Sequence, residues 1–341
     1  MNVPLTTRSL ILAHPLAQAV KLVDRPLASP GPDEALLRIS CAGICGTDLH
    51  IIGWNSWAAK RYRTPLPLGH ELCAEIVEIA PGLGFAPGDR VSAETHLGCA
   101  SCAQCLQGRG HTCEVLKTFT SLGLGAFGDY ATVPVALLRR APTGIQDEQV
   151  ASMEPAGIGL RAARRALRYG NNVTVSGCGP IGLLTILALR HLGATRVLAI
   201  EPSEIRRSLA LACGAHDAIA PNTKTDTSTA RQTDAVIETS GAPAALASAL
   251  AMPCAGGGVV TVGLPAADVP VDVAGQIVLR EIRLEGVYGR LLDEGWTDLQ
   301  EALTKGLDLA PAITHSYSLE NYREALDTAA RSASGKVILR M

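Results

Sequence analysis

The first 140 residues alternate apolar and polar positions in short runs, which is the pattern of strands with one buried face. Residues 35–39 and 74–79 are two such runs. Proline and glycine turn signals separate the runs, for example at residues 30–32, 81–82 and 87–89. The pattern predicts that this part of the chain is rich in β-strands.

From about residue 147 the pattern changes to buried strands that alternate with helical segments. Pro180 suits the first turn of one helix, and Ser203 suits the N-cap of the next. Strands are predicted at residues 173–176, 196–200, 234–238 and 258–263. Helices are predicted at residues 180–192, from Ser203 to Gly214, and at residues 244–251. A βαβ series of this kind predicts a parallel sheet with helices on both faces, which makes the fold class α/β.

The last part of the chain differs again. Ser318 is predicted to begin a helix that runs to about Ala330, and residues 336–340 are predicted to form a final strand. We expect this tail to fold back on the N-terminal part. The polar stretch 222–233 is predicted to be a surface loop.

Length and composition fit two domains. With 341 residues, of which 47% are hydrophobic and 18% charged, the chain can bury a sizeable core. If the tail folds back, the first domain is discontinuous in sequence. The predicted division is residues 1–146 with 290–341 for the β-rich domain, and residues 147–289 for the parallel-sheet domain.

Charge and cysteine placement exclude several kinds of partner. The net charge is -2 and there is no lysine/arginine cluster, so neither nucleic acid nor an anionic membrane is an expected partner. No apolar run reaches the roughly 18 residues that a membrane span needs. Four of the ten cysteines crowd together at a metal-binding spacing, which favours a reducing, cytoplasmic compartment.

These four cysteines follow one another at gaps of two, two and seven residues. They can close a tetrahedral shell around zinc and leave no position for water, which is typical of a structural zinc site. Disulfides, ordinary buried thiols and an iron–sulfur cluster are the alternatives. The residues are Cys99, Cys102, Cys105 and Cys113.

A second candidate metal site is spread along the chain. Cys45, His70 and Glu71 offer a thiolate, an imidazole and a carboxylate, and Glu154 is a further candidate. Three ligands leave a position for water or substrate, as in a catalytic zinc site, and zinc there would lower the pKa of an alcohol. Each residue also has an ordinary explanation: a core thiol, a hydrogen-bonded histidine, an acid at a helix N-terminus.

A glycine-rich motif lies between a predicted strand and a predicted helix: Gly177-Cys178-Gly179-Pro180-Ile181-Gly182. In this context it predicts a dinucleotide site with the pyrophosphate at the helix N-terminus. Glu201, at the end of the next strand, can bind both ribose hydroxyls and repels a 2'-phosphate. The motif therefore predicts NAD rather than NADP, although Arg206 offers a partner for adenine or a phosphate.

Thr47 and His50 are candidates for moving a proton. Thr47 lies two residues beyond Cys45, so in an extended segment both side chains would point the same way. A hydroxyl beside a bound alcohol can pass on its proton, and histidine titrates near neutral pH. A solvated polar turn is the alternative.

Together these residues resemble the zinc-containing medium-chain alcohol dehydrogenases, over essentially the whole chain. The resemblance implies a GroES-like catalytic domain, a Rossmann domain, two zinc ions per chain and NAD as cofactor. It also implies a homo-oligomer, either a tetramer or a dimer. The motifs that carry it are residues 43–50, 69–71, 88–91 and the four-cysteine run.

This resemblance implies roles for the candidate residues. Cys45, His70 and Glu71 would bind the catalytic zinc, and the four cysteines would bind the structural zinc. Glu154 would lie beside the catalytic metal and exchange onto it. The proton relay would consist of Thr47 and His50.

Within this family the chain is most similar to the threonine-oxidising branch. The resemblance places His96 near the substrate. The similar segments are residues 50–57, 94–96, 238–243, 286–290 and 306–315. The residues expected at the nicotinamide half of the cofactor site are Val262, Gly263, Leu264, Val287 and Tyr288.

The resemblance implies oxidation of L-threonine to 2-amino-3-ketobutyrate. Ile52 and Asn55 depart from that branch, which usually has Tyr and Asp there, and residues 153–165 look more like polyol dehydrogenases. A polyol or vicinal diol is therefore the alternative substrate.

Two other functional classes are alternatives to a dehydrogenase. One is a non-catalytic zinc- and nucleotide-binding protein. The other is a zinc-free quinone reductase, which would lack the cysteine run.

Overall fold

The computed structural model describes residues 3–221, 233–265 and 267–341. Of the stretch 222–233, only Thr233 is among them, so the predicted polar loop lies outside the described residues. The N-terminal part is rich in strands, as the alternation predicts. They are β1 (Thr6–Leu12), β2 (Val20–Pro26), β3 (Glu34–Gly43), β4 (Leu66–Pro67), β5 (Glu71–Ile79), β6 (Arg90–Ala93), β7 (His96–Leu97), β8 (Lys117–Thr118), β9 (Tyr130–Pro134) and β10 (Leu138–Arg140).

The main sheet of this part has seven strands, and two of them come from the tail: β17 (Ile313–Ser318) and β18 (Lys336–Arg340). Its order is β10-β6-β5-β3-β18-β17, and β9 also pairs with β3. Since β18 runs antiparallel to β3, the tail folds back on the N-terminal part as expected. The remaining strands form a sheet of order β2-β1-β4 and the pair β7-β8.

The middle of the chain forms a six-stranded sheet in which every pair is parallel. Its strands are β11 (Asn172–Ser176), β12 (Arg196–Ile200), β13 (Asp217–Ile219), β14 (Thr233–Glu238), β15 (Pro253–Thr261) and β16 (Arg283–Gly286). The order is β13-β12-β11-β14-β15-β16, which is the Rossmann order, with its reversal between β11 and β14. The predicted parallel sheet is confirmed.

Local sequence signals explain where several helices begin and end. Pro180 is the first residue of α6, and Gly193, with a φ of 88°, lies just past its end. The Ser203 side chain accepts a hydrogen bond from the Arg206 N–H and so caps α7. The described helices are α1 (Gly46–Ile52), α2 (Ser56–Arg61), α3 (Ala103–Leu106), α4 (Asp147–Ala151), α5 (Met153–Ala166), α6 (Pro180–His191), α7 (Glu204–Ala212), α8 (Pro243–Ala251), α9 (Glu294–Thr304) and α10 (Tyr322–Ala330).

One local prediction is wrong. Thr47 lies in α1 rather than in an extended segment, because the Asp48 carboxylate accepts a hydrogen bond from the Cys45 N–H and starts a helix there. The prediction of the last helix needs a correction only in its first turn. Ser318 is the N-cap of a 3-10 turn, Leu319–Asn321, which continues directly into α10.

Two large aliphatic cores fill the structure. One lies among the strands of the N-terminal part and the tail. The other surrounds the parallel sheet, but it also includes Cys41 and Cys73 of the main sheet and side chains of the segment 296–312. This core joins the two expected domains, and their division after residues 146 and 289 stays a prediction. No helix among the described residues is long and apolar enough to cross a membrane.

The close packing of α5 on α6 can be tested by adding one methyl group. A Cβ at Gly159 would lie 3.0 Å from the backbone nitrogen of Thr185. Gly159→Ala should therefore separate the helices and lower the free energy of unfolding by about 1–3 kcal/mol. Gly286→Ala is the control, since a Cβ there meets no atom within 4 Å. Urea unfolding of both variants is followed by tryptophan fluorescence. Equal urea midpoints for the two variants would contradict this packing.

Candidate active site

Three of the predicted catalytic metal ligands come together in the structure. Cys45 directly precedes α1, and His70 precedes Glu71, the first residue of β5. The Cys45 sulfur, an imidazole nitrogen of His70 and a carboxylate oxygen of Glu71 all lie within 4.8 Å of one another. His70 and Glu71 are buried, and Cys45 is half-buried. This donor set suits zinc.

Asp48 joins the two segments that carry these ligands. Its carboxylate oxygens accept hydrogen bonds from the N–H groups of Cys45 and Gly69, at 2.9 and 3.2 Å. Its Oδ1 also lies 3.5 Å from Nδ1 of His70, which has no closer hydrogen-bond partner among the described residues. Burial disfavours the charged imidazole, but the negative charges of Asp48 and of the Cys45 sulfur outweigh it and raise the pKa of His70 well above its usual value. A carboxylate behind an imidazole is the usual means of orienting a metal-ligating histidine.

A buried lysine holds the third ligand. Nζ of Lys336, from β18, lies 2.8 and 2.7 Å from the two carboxylate oxygens of Glu71 and 3.0 Å from the carbonyl oxygen of Ile44. Burial raises the pKa of Glu71, and Lys336 opposes that rise. Glu71 faces Gly43 on β3, where a Cβ would come within 2.1 Å of its Oε2. The carboxylate therefore fits only because β3 has a glycine at this position.

Glu154 is held by a second buried cation. Arg290 is fully buried and lies 2.7 Å from Oε1 of Glu154 and 2.7 Å from Oε1 of Glu94. The Thr95 hydroxyl also donates to Glu154, and the Trp296 indole N–H donates to Glu94. Burial alone would raise the pKa of Glu154, but Arg290 outweighs it and lowers that pKa to about 2. Glu154 is thus an ionised carboxylate bound to Arg290, and it does not join the three donors that lie within 4.8 Å of one another.

Thr47 and His50 lie on one face of α1. They are three residues apart, so their side chains are neighbours on the helix. Nδ1 of His50 lies 3.2 Å from the side-chain nitrogen of Asn55, and the His50 ring meets Trp57 edge-on with centroids 6.5 Å apart. Thr47 is half-buried and His50 is exposed. The pair therefore leads from the ligand segment towards solvent.

His96 and Tyr288 meet beside the carboxylates that Arg290 holds. Nε2 of His96 lies 3.3 Å from the hydroxyl oxygen of Tyr288, and its Nδ1 lies 3.2 Å from Oε1 of Glu94. The Tyr288 side chain is 47% exposed, whereas His96 is half-buried. The expected substrate-side histidine and one expected cofactor-side residue are thus in contact.

The four clustered cysteines also converge, with all their sulfur atoms within 4.8 Å of one another. The sulfur atoms of Cys102 and Cys113 are 3.8 Å apart, well beyond the roughly 2.05 Å of a disulfide, and all ten cysteines are free. Hydrogen bonds from Ser101, and one from the Cys102 N–H, lower the pKa of Cys99 to about 6. Four thiolate donors at this separation fit a closed zinc shell.

The glycine motif lies at the carboxyl end of β11 and leads into α6. Gly177 has a φ of 92°, and a Cβ at Gly182 would lie 2.0 Å from the Gly177 carbonyl oxygen. Gly179 is the N-cap of α6, and Pro180 and Ile181 form its first turn. The first N–H groups of a helix have no partner within the helix, so those of Ile181 and Gly182 can face an anion.

Glu201 directly follows β12, and its buried carboxylate accepts a hydrogen bond from the Cys178 N–H at 2.8 Å. The acidic residue therefore contacts the glycine motif, as a ribose-binding carboxylate should. Arg206 donates to the carbonyl oxygen of Ser334 at 3.0 Å, and its Nη1 would lie 3.9 Å from a Cβ at Gly179 of the glycine motif. This contact ties α7 to the tail.

The other expected cofactor-side residues follow the last two strands of the parallel sheet. Val262, Gly263 and Leu264 come after β15, and Val287 and Tyr288 come after β16. All five lie at the carboxyl edge of the sheet, where Rossmann folds bind dinucleotides. Val287 is buried, whereas Leu264 is 78% exposed.

Sequence reasoning missed the charged residues that position the ligands. Lys336 is 265 residues from Glu71, and Arg290 is 136 residues from Glu154, so no local pattern connects them. One signal was available: Lys336 is two residues before Ile338, so both face the same side of a buried strand, and a buried lysine needs a partner. The missed residues are Asp48, Glu94, Arg290 and Lys336.

Comparison with known proteins covers both halves of the chain. Residues 31–143 match the family model of the alcohol dehydrogenase GroES-like domain, and residues 180–306 match that of zinc-binding dehydrogenases. Over 327 residues the chain is 37% identical to L-threonine 3-dehydrogenase of Pyrococcus furiosus, which covers 93% of this chain and 94% of that protein.

Two solved structures superimpose on almost the whole chain. Galactitol-1-phosphate dehydrogenase from Escherichia coli has a TM-score of 0.87 at 27% identity and covers 98% of this chain and 100% of its own. A protein from Sinorhizobium meliloti 1021 bound to NADP has a TM-score of 0.88 at 25% identity and covers 98% of this chain and 99% of its own.

Zinc content tests the four-cysteine group. If this group holds one of two zinc ions, Cys102→Ser should lower the content from about two to about one per chain and destabilise the fold. Cys254→Ser is the matched control, because Cys254 belongs to neither donor group. The zinc content is measured by metal analysis of dialysed protein. An unchanged zinc content in Cys102→Ser would exclude the site.

Arg290→Met tests the buried carboxylate network. The substitution leaves Glu94 and Glu154 buried without their cation, so the free energy of unfolding should fall by about 3–5 kcal/mol. Arg164→Met is the control, since its pair with Asp298 is half-exposed and contributes about 1 kcal/mol or less. Urea unfolding at neutral pH measures both variants.

The pH dependence of that loss follows from Glu154. Its pKa is lowered from 4.5 to about 2 in the folded protein, so the stabilisation by Arg290 is present above pH 4.5 and is lost as the pH falls towards 2. The difference in unfolding free energy between wild type and Arg290→Met should shrink over that range. A constant difference would mean that Arg290 acts through packing alone.

Proposed function

Because the chain belongs to the zinc-binding, medium-chain alcohol dehydrogenase family, we propose that it oxidises L-threonine to 2-amino-3-ketobutyrate and passes the hydride to NAD. The convergence of Cys45, His70 and Glu71 next to α1 supports the chemistry. The likeness to an L-threonine 3-dehydrogenase over 93% of the chain supports the substrate.

In this proposal Cys45, His70 and Glu71 hold the catalytic zinc, and the four clustered cysteines hold the structural zinc. A catalytic zinc supplies a Lewis acid that lowers the pKa of an alcohol. Lys336 keeps Glu71 in place beside it. Glu154 stays bound to Arg290 as a charged neighbour.

Thr47 and His50 carry the alcohol proton outward. Thr47 lies two residues beyond Cys45 and is half-buried, so its hydroxyl can accept the proton beside the ligand group. His50 lies one turn further along α1 and is exposed, so it can release the proton to water. His96 lines the substrate side, where it contacts Tyr288 of the nicotinamide side.

The carboxyl edge of the parallel sheet would hold NAD. The N–H groups at the start of α6 would bind the pyrophosphate, and Glu201 would bind the adenosine ribose. The negative charge of Glu201 disfavours a 2'-phosphate, which supports NAD over NADP. A structural neighbour is bound to NADP, so a direct comparison of KM for the two cofactors is the appropriate test.

A polyol or vicinal diol is the second candidate substrate. The likeness to galactitol-1-phosphate dehydrogenase at 27% identity favours it, as do Ile52 and Asn55, which differ from the threonine-oxidising pattern. These positions lie on α1 and at the start of α2, near His50.

We also propose a cytoplasmic homo-oligomer, a dimer or a tetramer. Ten free cysteines are compatible with a reducing compartment. Family likeness supports the oligomer, which light scattering of the purified protein would measure.

A turnover screen with NAD tests the substrate. L-Threonine should give the highest kcat/KM among L-threonine, sorbitol, xylitol and 2,3-butanediol. No rate with L-threonine, beside a good rate with a polyol or diol, would reject threonine in favour of the second candidate.

Cys45→Ser separates catalysis from nucleotide binding in the same screen. Turnover should be lost because the ligand set is incomplete, while NAD affinity, measured by calorimetry, stays nearly unchanged because the nucleotide site lies on the parallel sheet. Cys254→Ser should retain both properties. Surviving activity in Cys45→Ser would reject the assigned ligand role.

A further inference from the structure

Arg61, the last residue of α2, is a cation without an anionic partner among the described residues. Its guanidinium donates to the carbonyl oxygen of Trp57 at 3.4 Å and lies 5.0 Å from the centroid of the Trp57 ring. The side chain is exposed. Its charge is therefore available to a ligand.

An aromatic platform fixes where this charge lies. The Trp57 ring meets the His50 ring with centroids 6.5 Å apart and the Tyr62 ring at 5.7 Å. Tyr62 is buried in the N-terminal core, and Trp57 packs against that core. The guanidinium is thus carried on a packed surface beside the outer residue of the proposed proton relay.

Arg61 also acts on Tyr288 electrostatically. Burial raises the pKa of Tyr288, and among the nearby charges Arg61 opposes this rise while Glu154 adds to it. Tyr288 is in contact with His96, the expected substrate-side histidine. The charge of Arg61 therefore acts on a residue next to the expected substrate side.

Three other cations near the candidate ligands and Tyr288 are already engaged. Arg290 is bound to two carboxylates, and Lys336 is bound to Glu71. Arg161 donates to the carbonyl oxygens of Tyr288 and Gly289 at 3.0 and 3.2 Å. Arg61 is less engaged than these, since its one hydrogen bond among the described residues is the 3.4 Å contact with the Trp57 carbonyl oxygen.

We propose that Arg61 is a specificity-determining residue that binds the carboxylate of the substrate. The enzyme would then select hydroxy acids, and among them 2-amino-3-hydroxy acids, over uncharged polyols. This inference rests on the proposed function and narrows its substrate class.

The chemistry of both groups fits this assignment. A guanidinium that lies over a ring keeps the N–H groups at its edge free, and these match a carboxylate with two parallel hydrogen bonds. A polyol has no charge to place there. Arg61 would therefore improve the binding of an acid without adding to that of a polyol.

Kinetics with a matched pair of substrates test the proposal. L-Threonine and L-threoninamide share the hydroxyl and the amine, and only L-threonine has the carboxylate. With zinc-loaded protein and saturating NAD, Arg61→Met should raise KM for L-threonine about tenfold to hundredfold and change kcat by about twofold or less. Both parameters for L-threoninamide should stay unchanged.

Two further variants sharpen this result. Arg61→Lys should lie between wild type and Arg61→Met, because lysine keeps the charge and loses the planar fork. Arg63→Met is the matched control, since Arg63 is exposed and donates only to the carbonyl oxygens of Ala59 and Tyr62. It should leave both substrates unaffected. Equal L-threonine kinetics in wild type and Arg61→Met would overturn the proposal while the proposed function stands.

A different result would refute the proposed function itself. If wild type oxidises a polyol and not L-threonine, L-threonine is then measured as an inhibitor of polyol oxidation. An inhibition constant that rises tenfold or more in Arg61→Met supports carboxylate binding by Arg61. Equal inhibition, or none in wild type, overturns the Arg61 proposal as well.

Discussion

The arrangement of the active site depends on buried charges that neutralise one another. Glu71, Glu94 and Glu154 are buried carboxylates, and Lys336 and Arg290 are the buried cations that bind them. A buried ion without its partner costs several kcal/mol, so each carboxylate lies where its cation holds it. Lys336 belongs to β18, which pairs with β3. Glu71 of the ligand group therefore has its cation only when the tail has folded back on the N-terminal part.

The two donor groups are assembled in different ways. The four cysteines lie within fifteen residues of one another, and backbone N–H groups of their own loop donate to the sulfur atoms. Cys45 and His70 are brought together by Asp48, whose single carboxylate accepts hydrogen bonds from both segments. The first group depends on a local loop, whereas the second depends on contacts between distant segments.

The presence or absence of a carboxylate partner also distinguishes the structural cation Arg290 from Arg61, which is proposed to bind substrate. Arg290 is bound to two carboxylates and stacks on Trp296, with its guanidinium carbon 4.9 Å from the ring centroid. Arg61 stacks on Trp57 at a similar distance, 5.0 Å, but has no carboxylate partner among the described residues. Both arginines lie over a tryptophan, and they differ in what surrounds the N–H groups at the edge of the guanidinium. The buried N–H groups of Arg290 bind carboxylates of the protein, whereas the exposed N–H groups of Arg61 can bind the carboxylate of a ligand from solution.

Local sequence determined the parts of this protein that depend on neighbouring residues. The βαβ pattern, the glycine motif with Glu201 and the cysteine spacing are short-range signals, and the structure contains the predicted parallel sheet and both convergent donor groups. Only tertiary structure decided how Glu71 and Glu154 are held, because their cations lie 265 and 136 residues away. The helical state of Thr47 has a local cause, the cap of α1 by Asp48, whereas the contact of Asp48 with Gly69 comes from tertiary structure. A buried charge must find a partner, but no local pattern states which one.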